Sequence, residues 1–257
     1  MNDTVVARPD SRDGRVLVVT IDRPNARNAI DGATARQLAA AFDRLDDDPG
    51  LRAAVLTGAG RGFSAGMDLK AFLAGDLPFV EGRGFGGFTQ APPRKPLVAA
   101  VEGFALAGGL EMALACDLIV AAEDARLGIP EVTRGLVAAG GGLLRLAQHI
   151  PFHVAHELAL TGAAVPVRRL YDVGLVNRVT PPGEALAQAV DLASVIADNG
   201  PLAVGASKRV LRHAAEWGLT DGWVQQQSIV EEVIASADAR EGSQAFAERR
   251  KPVWTGR

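Results

Sequence analysis

Strand-like and helix-like segments alternate over the first part of the chain, and helical patterns dominate after Gly140. β-branched and apolar runs predict four buried strands, at 15–22, 53–57, 97–101 and 118–121. Strands that alternate with helices favour an α/β core, and a purely helical remainder favours an appendage to that core. We therefore predict an α/β core over residues 1–199 and a C-terminal helical region over residues 200–257.

Composition narrows the classes of partner and compartment. The chain has 257 residues, a net charge of −3 and a pI of about 5.8, which favours neither nucleic acid nor an anionic membrane as the main partner. The single cysteine, Cys116, excludes an intramolecular disulfide framework and a cysteine-based metal site, and its apolar surroundings predict a core position. A charged N-terminus and the lack of any long apolar run predict no signal peptide, no membrane segment and a cytoplasmic protein.

Two glycine-rich stretches lead to different structural predictions. Residues 58–62 follow a strand, but the dinucleotide-binding spacing needs glycine at position 63, where Phe63 stands. A tight turn is therefore predicted there, and a Rossmann site is rejected. Residues 74–95 contain five glycines and three prolines among few periodic apolar positions, which predicts a long and mobile loop.

Two glutamates, each behind a glycine-containing turn, are the main candidates for chemistry. Glu111 follows Gly108-Gly109, where a helix is predicted to begin, so backbone N–H groups at that helix start would stabilise a developing negative oxygen. Glu131 follows Pro130. A carboxylate pair can hold a water and move a proton without a metal. Considered alone, Glu111 is explained equally well as a first-turn glutamate that the helix dipole stabilises, and Glu131 is explained better as a solvent-exposed charge.

A series of segments, in order along the chain, resembles the crotonase (enoyl-CoA hydratase/isomerase) superfamily. The early segments are 21–29, 63–69, 101–111, which ends at Glu111, and 116–117. The later ones are 127–131, 140–146, 160–162, 172–176 and 241–250. Two departures stand out: Ala107 occupies a position where many members have a third glycine, and Ala138-Ala139 replaces a common Pro-Gly. We expect small effects on backbone angle from these changes and no loss of the site.

The resemblance implies a spiral of ββα units with a C-terminal helical trimerisation region, usually assembled as a dimer of trimers. It also implies that the backbone N–H groups of Met67 and Gly108 bind a thioester carbonyl, and it matches Glu111 and Glu131 to the catalytic glutamates of the hydratase branch. Further positions are predicted on the same basis to contact the substrate or its CoA: Arg23, Ala26, Arg27, Ala65, Asp68, Leu69, Gly109, Phe246, Arg249 and Lys251. From the residues alone, Asp68 is a helix cap for residues 69–73.

The predicted function is that of an enoyl-CoA hydratase, which adds water reversibly and syn to a trans-2-enoyl-CoA. The alternatives are an isomerase or a specialised dehydratase on the same scaffold, and a non-catalytic acyl-CoA-binding protein. No metal or redox cofactor is expected. CoA is needed only as part of the substrate. Apolar helix faces in the C-terminal half predict contacts between subunits, and the resemblance implies a homotrimer or a dimer of trimers. The basic run 249–251 is predicted to reach a CoA site of its own or a neighbouring subunit, where its charge suits the nucleotide phosphates, and a solvated tail is the alternative.

Overall fold

The computed structural model describes residues 3–257, so the first two residues of the predicted core lie outside it. The strands of the described chain are β1 (Val5–Pro9), β2 (Val16–Ile21), β3 (Ala53–Gly58), β4 (Phe79–Val80), β5 (Gly84–Phe85), β6 (Leu97–Val101), β7 (Phe104–Leu106), β8 (Leu118–Ala122), β9 (Arg126–Gly128), β10 (Val165–Pro166) and β11 (Arg178–Thr180). The α-helices are α1 (Gly32–Asp47), α2 (Leu69–Leu73), α3 (Gly108–Ala115), α4 (Gly142–His149), α5 (Phe152–Thr161), α6 (Val167–Asp172), α7 (Ala185–Ala197), α8 (Pro201–Ile234) and α9 (Ala237–Glu248). Two 3₁₀ turns cover Pro24–Ala26 and Glu131–Arg134.

The main sheet has six strands in the order β1-β2-β3-β6-β8-β11, antiparallel only between β1 and β2. Its central strands β3 and β6 are buried almost throughout, as expected for parallel strands that are covered on both faces. Alternate residues separate the two faces. Leu17 and Leu56 pack in the larger core with α1 and α3, whereas Val55 and Val98 pack against α7. The α/β core expected from the sequence is confirmed, and the four predicted strands begin and end within one residue of their expected bounds.

A second, smaller sheet positions the segments that carry the two glutamates. It has three strands in the order β10-β9-β7, and β7 runs parallel to β9. The chain leaves β7 at Leu106 directly into α3, and it leaves β9 at Gly128 directly into the segment that carries Glu131. Because parallel strands end at the same edge of a sheet, this pairing brings the Glu111 and Glu131 segments together.

Three sequence expectations need correction. The N-terminal segment forms β1, which was not predicted, because pairing with β2 satisfies the backbone of a stretch that lacks strong alternation. The largely helical C-terminal part contributes β11 to the main sheet beside β8. Residues 74–95 are not an open loop: β4 and β5 form a small hairpin, and Phe85 and Phe88 are buried in the core. Few periodic positions were visible in the sequence because the buried rings of this segment, Phe85 and Phe88, do not follow a helix or strand repeat.

The C-terminal helices are tied to the core by charge. Lys208 on α8 donates to Asp117 Oδ2 at 2.6 Å, and Arg212 donates to Asp117 Oδ1 at 3.3 Å. The last residues fold back on α9, where the buried Asp238 accepts from the backbone N–H groups of Thr255 and Gly256. No helix of the described residues is long and apolar enough to cross a membrane.

The buried Asn28 should contribute strongly to stability. It adopts φ 54°, which asparagine tolerates better than alanine, and its Nδ2 donates to the carbonyls of Ala59 at 2.8 Å and Gly62 at 2.7 Å. Asn28→Ala leaves both carbonyls without this donor, so we expect a loss of about 2–4 kcal/mol in the free energy of unfolding, measured by urea denaturation. The exposed Asn25→Ala on the same turn is the control and should change it by less than about 0.5 kcal/mol. Equal effects of the two substitutions would contradict the assignment.

Candidate active site

Ser64 joins the two segments that carry the predicted oxyanion donors. Its carbonyl accepts from Leu106 N at 3.0 Å, its hydroxyl donates to Asn28 O at 2.8 Å, and the same hydroxyl accepts from Gly66 N at 3.1 Å. Gly66, at φ 91°, lies so close to the start of α3 that a Cβ there would be 2.7 Å from Gly108 N. The peptide that carries the Met67 N–H therefore lies beside the first N–H group of α3.

Both of these N–H groups are available. Within residues 3–257, neither Met67 N nor Gly108 N donates to a protein acceptor. Gly108 is the first residue of α3, where the helix dipole favours negative charge. The two groups can thus donate together to one oxygen of a ligand, as an oxyanion hole requires.

Ala107 sets the entry into α3 at the cost of strain. Its backbone has φ 53° and ψ −131°, a region that favours glycine, and its own N–H donates to Gly128 O at 2.9 Å. A non-glycine residue in such a conformation costs on the order of 1–3 kcal/mol. The backbone thus retains glycine-like angles at this position even though the residue is alanine.

Glu111 is buried and held in one orientation. Only 3% of the residue is exposed, and its Oε1 accepts from Gly142 N at 2.9 Å. There is little room around it: a Cβ on Gly140 would lie 2.9 Å from Oε2, and one on Gly142 would lie 2.8 Å from Cγ. Burial raises the pKa of Glu111, while backbone hydrogen bonds from Gly142 and Gly140 and the charge of Arg145 oppose that rise. Such a residue is not simply a surface glutamate that stabilises a helix start.

Glu131 is half-buried in the first position of its 3₁₀ turn, and its environment differs. Its Oε2 is buried and has no hydrogen-bond partner among the described residues. Burial raises the pKa of Glu131 to about 7, and the nearby charge of Glu111 adds to the rise. An unpaired buried carboxyl oxygen that titrates near neutral pH suits a group that exchanges protons. An exposed surface charge, the simpler expectation from the sequence, does not have these properties.

Arg145 belongs to the site and was not singled out in the sequence, although its segment was part of the resemblance. Its guanidinium donates to Thr89 O at 2.5 Å and to Gly141 O at 3.4 Å. It therefore ties the 74–95 segment to the glycine turn that holds Glu111. The signal in the sequence was an arginine shortly after a glycine run, and one of the carbonyls that it contacts, Thr89 O, is distant in sequence.

The predicted substrate contacts near the N-terminus fall into two groups. Arg23 is engaged within the protein: its Nη2 lies 2.9 Å from Asp31 and 3.0 Å from Asp68. Asp68 also caps α2 by accepting from the backbone of Lys70 and Ala71, as expected from the residues alone. Leu69 is exposed at the start of α2.

The other group surrounds the turn at residue 27. Arg27 is exposed, with its guanidinium 4.9 Å from the centre of the Phe104 ring, and its carbonyl accepts from Ala65 N at 3.0 Å. Ala26 is partly exposed beside it. Gly109 is buried, and a Cβ there would lie 2.2 Å from the carbonyl oxygen of Ser64.

The C-terminal residues predicted to contact CoA lie elsewhere on the chain. Phe246 on α9 is 88% exposed, and Arg249 and Lys251 are exposed just beyond the helix. No hydrogen bond among the described residues joins them to Met67, Gly108 or the two glutamates. Arg250, the middle residue of the basic run, pairs with Glu241 and Glu248.

Comparison with known proteins gives the family. The family model described as enoyl-CoA hydratase/isomerase matches residues 11–257. A carnitinyl-CoA dehydratase of Salmonella enteritidis PT4 is 42% identical over 255 residues, covering 96% of this chain and 97% of the relative. A crystal structure of an enoyl-CoA hydratase from Mycobacterium tuberculosis H37Rv matches with a TM-score of 0.95 and 55% identity over 99% of both chains. A carnitinyl-CoA hydratase structure from Mycobacterium avium matches with a TM-score of 0.78 and 40% identity over the full length of both.

The chain belongs to the enoyl-CoA hydratase/isomerase family. The crotonase-like α/β fold predicted from the sequence segments is confirmed by these full-length structural matches. The chain is therefore an enzyme of the crotonase type, whose relatives are named hydratases and dehydratases of acyl-CoA thioesters.

The raised pKa of Glu131 predicts that the ionised carboxylate destabilises the folded protein. The pKa of Glu131 in the folded protein, about 7, exceeds the ordinary value of 4.5, so the folded state favours the protonated carboxyl group. The stability that this group contributes is therefore fully present below about pH 4.5 and is lost as the pH rises through about 7. Glu131→Gln removes the ionised group, so at pH 8 we expect stability to rise by about 1 kcal/mol after allowance for solvent screening. The gain should shrink at pH 5. Thermal melting at both pH values tests this.

Glu123→Gln is the matched control, since Glu123 is exposed. Its melting temperature should follow that of the unaltered protein at both pH values. If Glu131→Gln were less stable than the unaltered protein at pH 8, the carboxylate would have a stabilising partner and the account of its environment would be wrong.

Proposed function

We propose that the protein catalyses the reversible addition of water to a trans-2-enoyl-CoA, giving the 3-hydroxyacyl-CoA. The observation that carries the proposal is the combination of two free backbone N–H groups, at Met67 and Gly108, with the buried carboxyl group of Glu111 and the half-buried Glu131, whose Oε2 is buried and unpaired in the described chain. The first pair suits a thioester oxygen that gains negative charge. The second pair suits a water that must lose a proton.

The steps follow from these positions. The thioester oxygen accepts hydrogen bonds from Met67 N and Gly108 N, which draws electron density from the Cα=Cβ bond. Water held between the glutamates attacks Cβ, and Glu131 takes its proton. The negative charge passes through Cα to the thioester oxygen as an enolate. Glu131 then returns its proton to Cα on the same face, so that OH and H have been added syn and the Glu131 carboxylate is restored. The reverse sequence expels water.

The two glutamates divide the work according to their surroundings. The backbone N–H of Gly142 orients Glu111, so this carboxylate suits holding the water. Glu131 has an oxygen without a protein partner and a pKa of about 7, so it suits taking and returning the proton. This reaction requires no metal or redox cofactor, and CoA enters as part of the substrate.

A second candidate substrate is suggested by the relatives. Their names describe a dehydratase and a hydratase of carnitinyl-CoA. Dehydration of a 3-hydroxyacyl-CoA is the reverse of the proposed reaction and uses the same four groups. Carnitinyl-CoA and crotonyl-CoA are therefore the two substrates to compare.

The oligomeric state, the cellular location and the metabolic role of the protein are also proposals. Several apolar side chains of α8 are exposed in the single chain, including Leu211, Leu219, Trp223, Val224 and Ile234. Their exposure supports the proposed homotrimer or dimer of trimers, in which a second copy covers them. A cytoplasmic role in fatty acid metabolism would accord with the proposed reaction.

Replacing either glutamate should remove the activity without removing the fold. We expect Glu111→Gln and Glu131→Gln each to lower kcat by at least ~10²-fold, because glutamine keeps the size but cannot take the proton. The double variant should be less than multiplicatively worse, since both groups act on one water. The measurement is the loss of enoyl-thioester absorbance with crotonyl-CoA, repeated with carnitinyl-CoA in the reverse direction, with Glu123→Gln as the control.

The outcomes separate the alternatives. Near-normal turnover in Glu131→Gln would end the mechanism as proposed. Activity only with carnitinyl-CoA would favour the second substrate. Migration of the double bond without uptake of labelled water would identify an isomerase, and binding without turnover of any thioester would identify an acyl-CoA-binding protein.

A further inference from the structure

A glycine-rich turn gives Phe85 a fixed direction. The residues that flank it have left-handed backbone angles, with φ values of 78° at Gly84, 61° at Gly86 and 74° at Gly87. Side chains with a Cβ disfavour these angles, so this turn depends on glycine at each position. The turn is closed by a hydrogen bond from Thr89 N to Phe85 O at 3.2 Å.

The turn is also pressed against two helices. A Cβ on Gly87 would lie 2.3 Å from the Ala35 carbonyl oxygen of α1, and one on Gly86 would lie 2.9 Å from the Met112 sulfur of α3. The turn is therefore packed closely against the backbone of α1 and a side chain of α3. Phe85 is only 3% exposed as a result, and the Phe79 ring packs edge-on against it at 5.7 Å.

The Phe85 side chain reaches from one half of the candidate active site to the other. A Cβ on Gly108 would lie 2.4 Å from Phe85 Cζ, so the tip of the ring packs against the residue whose N–H is proposed to bind the thioester oxygen. At its base, Phe85 Cβ lies 3.0 Å from the Cβ position of Gly140, a position that is itself 2.9 Å from Glu111 Oε2. The ring therefore forms a wall between the oxyanion donor and the turn that holds the catalytic carboxylate.

We propose that Phe85 is the specificity-determining residue for the acyl group and limits it to short chains. The inference rests on the proposed function, because it takes the thioester oxygen to lie on Gly108 N. An acyl chain attached at that point must pass the Phe85 ring, which fills the space next to Gly108. The glycine angles and the helix contacts prevent the turn from retreating to admit a longer chain.

The test compares the acyl-length profiles of variants. We would measure kcat/KM for trans-2-enoyl-CoAs of four, eight and twelve carbons with the unaltered protein, Phe85→Ala and Phe85→Leu. Because added methylenes in a fitted pocket each change selectivity by roughly 10-fold or more, we expect Phe85→Ala to raise the twelve-to-four-carbon ratio at least ~10-fold. Phe85→Leu should fall between the two, and it remains informative if the alanine variant fails to fold.

Phe88→Leu is the matched control. Phe88 belongs to the same turn and is also buried, but its ring packs on Phe42 of α1, with ring centres 4.7 Å apart. We expect this substitution to lower the melting temperature and to leave the chain-length ratio unchanged. A ratio that shifts equally in Phe88→Leu would show that general loosening of the core, rather than the Phe85 ring, governs length.

Failure of the inference is distinguishable from failure of the proposed function. Turnover by the unaltered protein with the same length ratio in folded Phe85→Ala or Phe85→Leu would overturn the role of Phe85 alone. If no enoyl-CoA were hydrated, the hydratase proposal would fail. Calorimetric Kd values for saturated acyl-CoAs of the same three lengths would then decide the role of Phe85. Tighter binding of the twelve-carbon thioester by Phe85→Ala would support it, and unchanged relative affinities would contradict it.

Discussion

The site depends on the pairing of Ser64 with the end of β7. Leu106 N donates to the Ser64 carbonyl, and the Ser64 hydroxyl bridges Asn28 O and Gly66 N. These bonds press a glycine turn against the start of α3 so closely that the Gly66 and Gly109 positions cannot hold a Cβ. Two N–H groups from distant parts of the chain thereby lie side by side. The strained backbone of Ala107 directly precedes Gly108 and belongs to the same arrangement.

The two glutamates are alike in type but differ in their surroundings. Both are raised in pKa by burial, but Glu111 regains hydrogen bonds from the glycine turn before α4, whereas Glu131 keeps one buried oxygen without a partner in the described chain. A satisfied carboxylate is a fixed acceptor, and an unsatisfied one favours a ligand that supplies a proton. The parallel β7–β9 pair brings the two glutamate segments together, so the candidate site depends on a three-stranded sheet outside the main one.

Sequence patterns predicted the features that are local in the chain. Apolar runs marked the central strands, Asp68 was recognisable as the cap of α2, and the glycines before Glu111 marked the start of α3. Features made by distant partners were not predictable in this way. β11 becomes a strand only because β8 offers it an edge, Arg145 acts through a carbonyl far away in sequence, and the 74–95 segment is ordered by Phe85 and Phe88 reaching the core. The roles of the glutamates came from the resemblance, whereas their burial required the structure.

The most direct test is a crystal structure with a saturated, unreactive acyl-CoA bound. The account predicts that the thioester oxygen lies about 2.7–3.1 Å from both Met67 N and Gly108 N, with the acyl Cβ facing Glu111 and Glu131 across a space that holds one water. A thioester oxygen that bonds to neither N–H group, or an acyl Cβ turned away from both carboxylates, would contradict it.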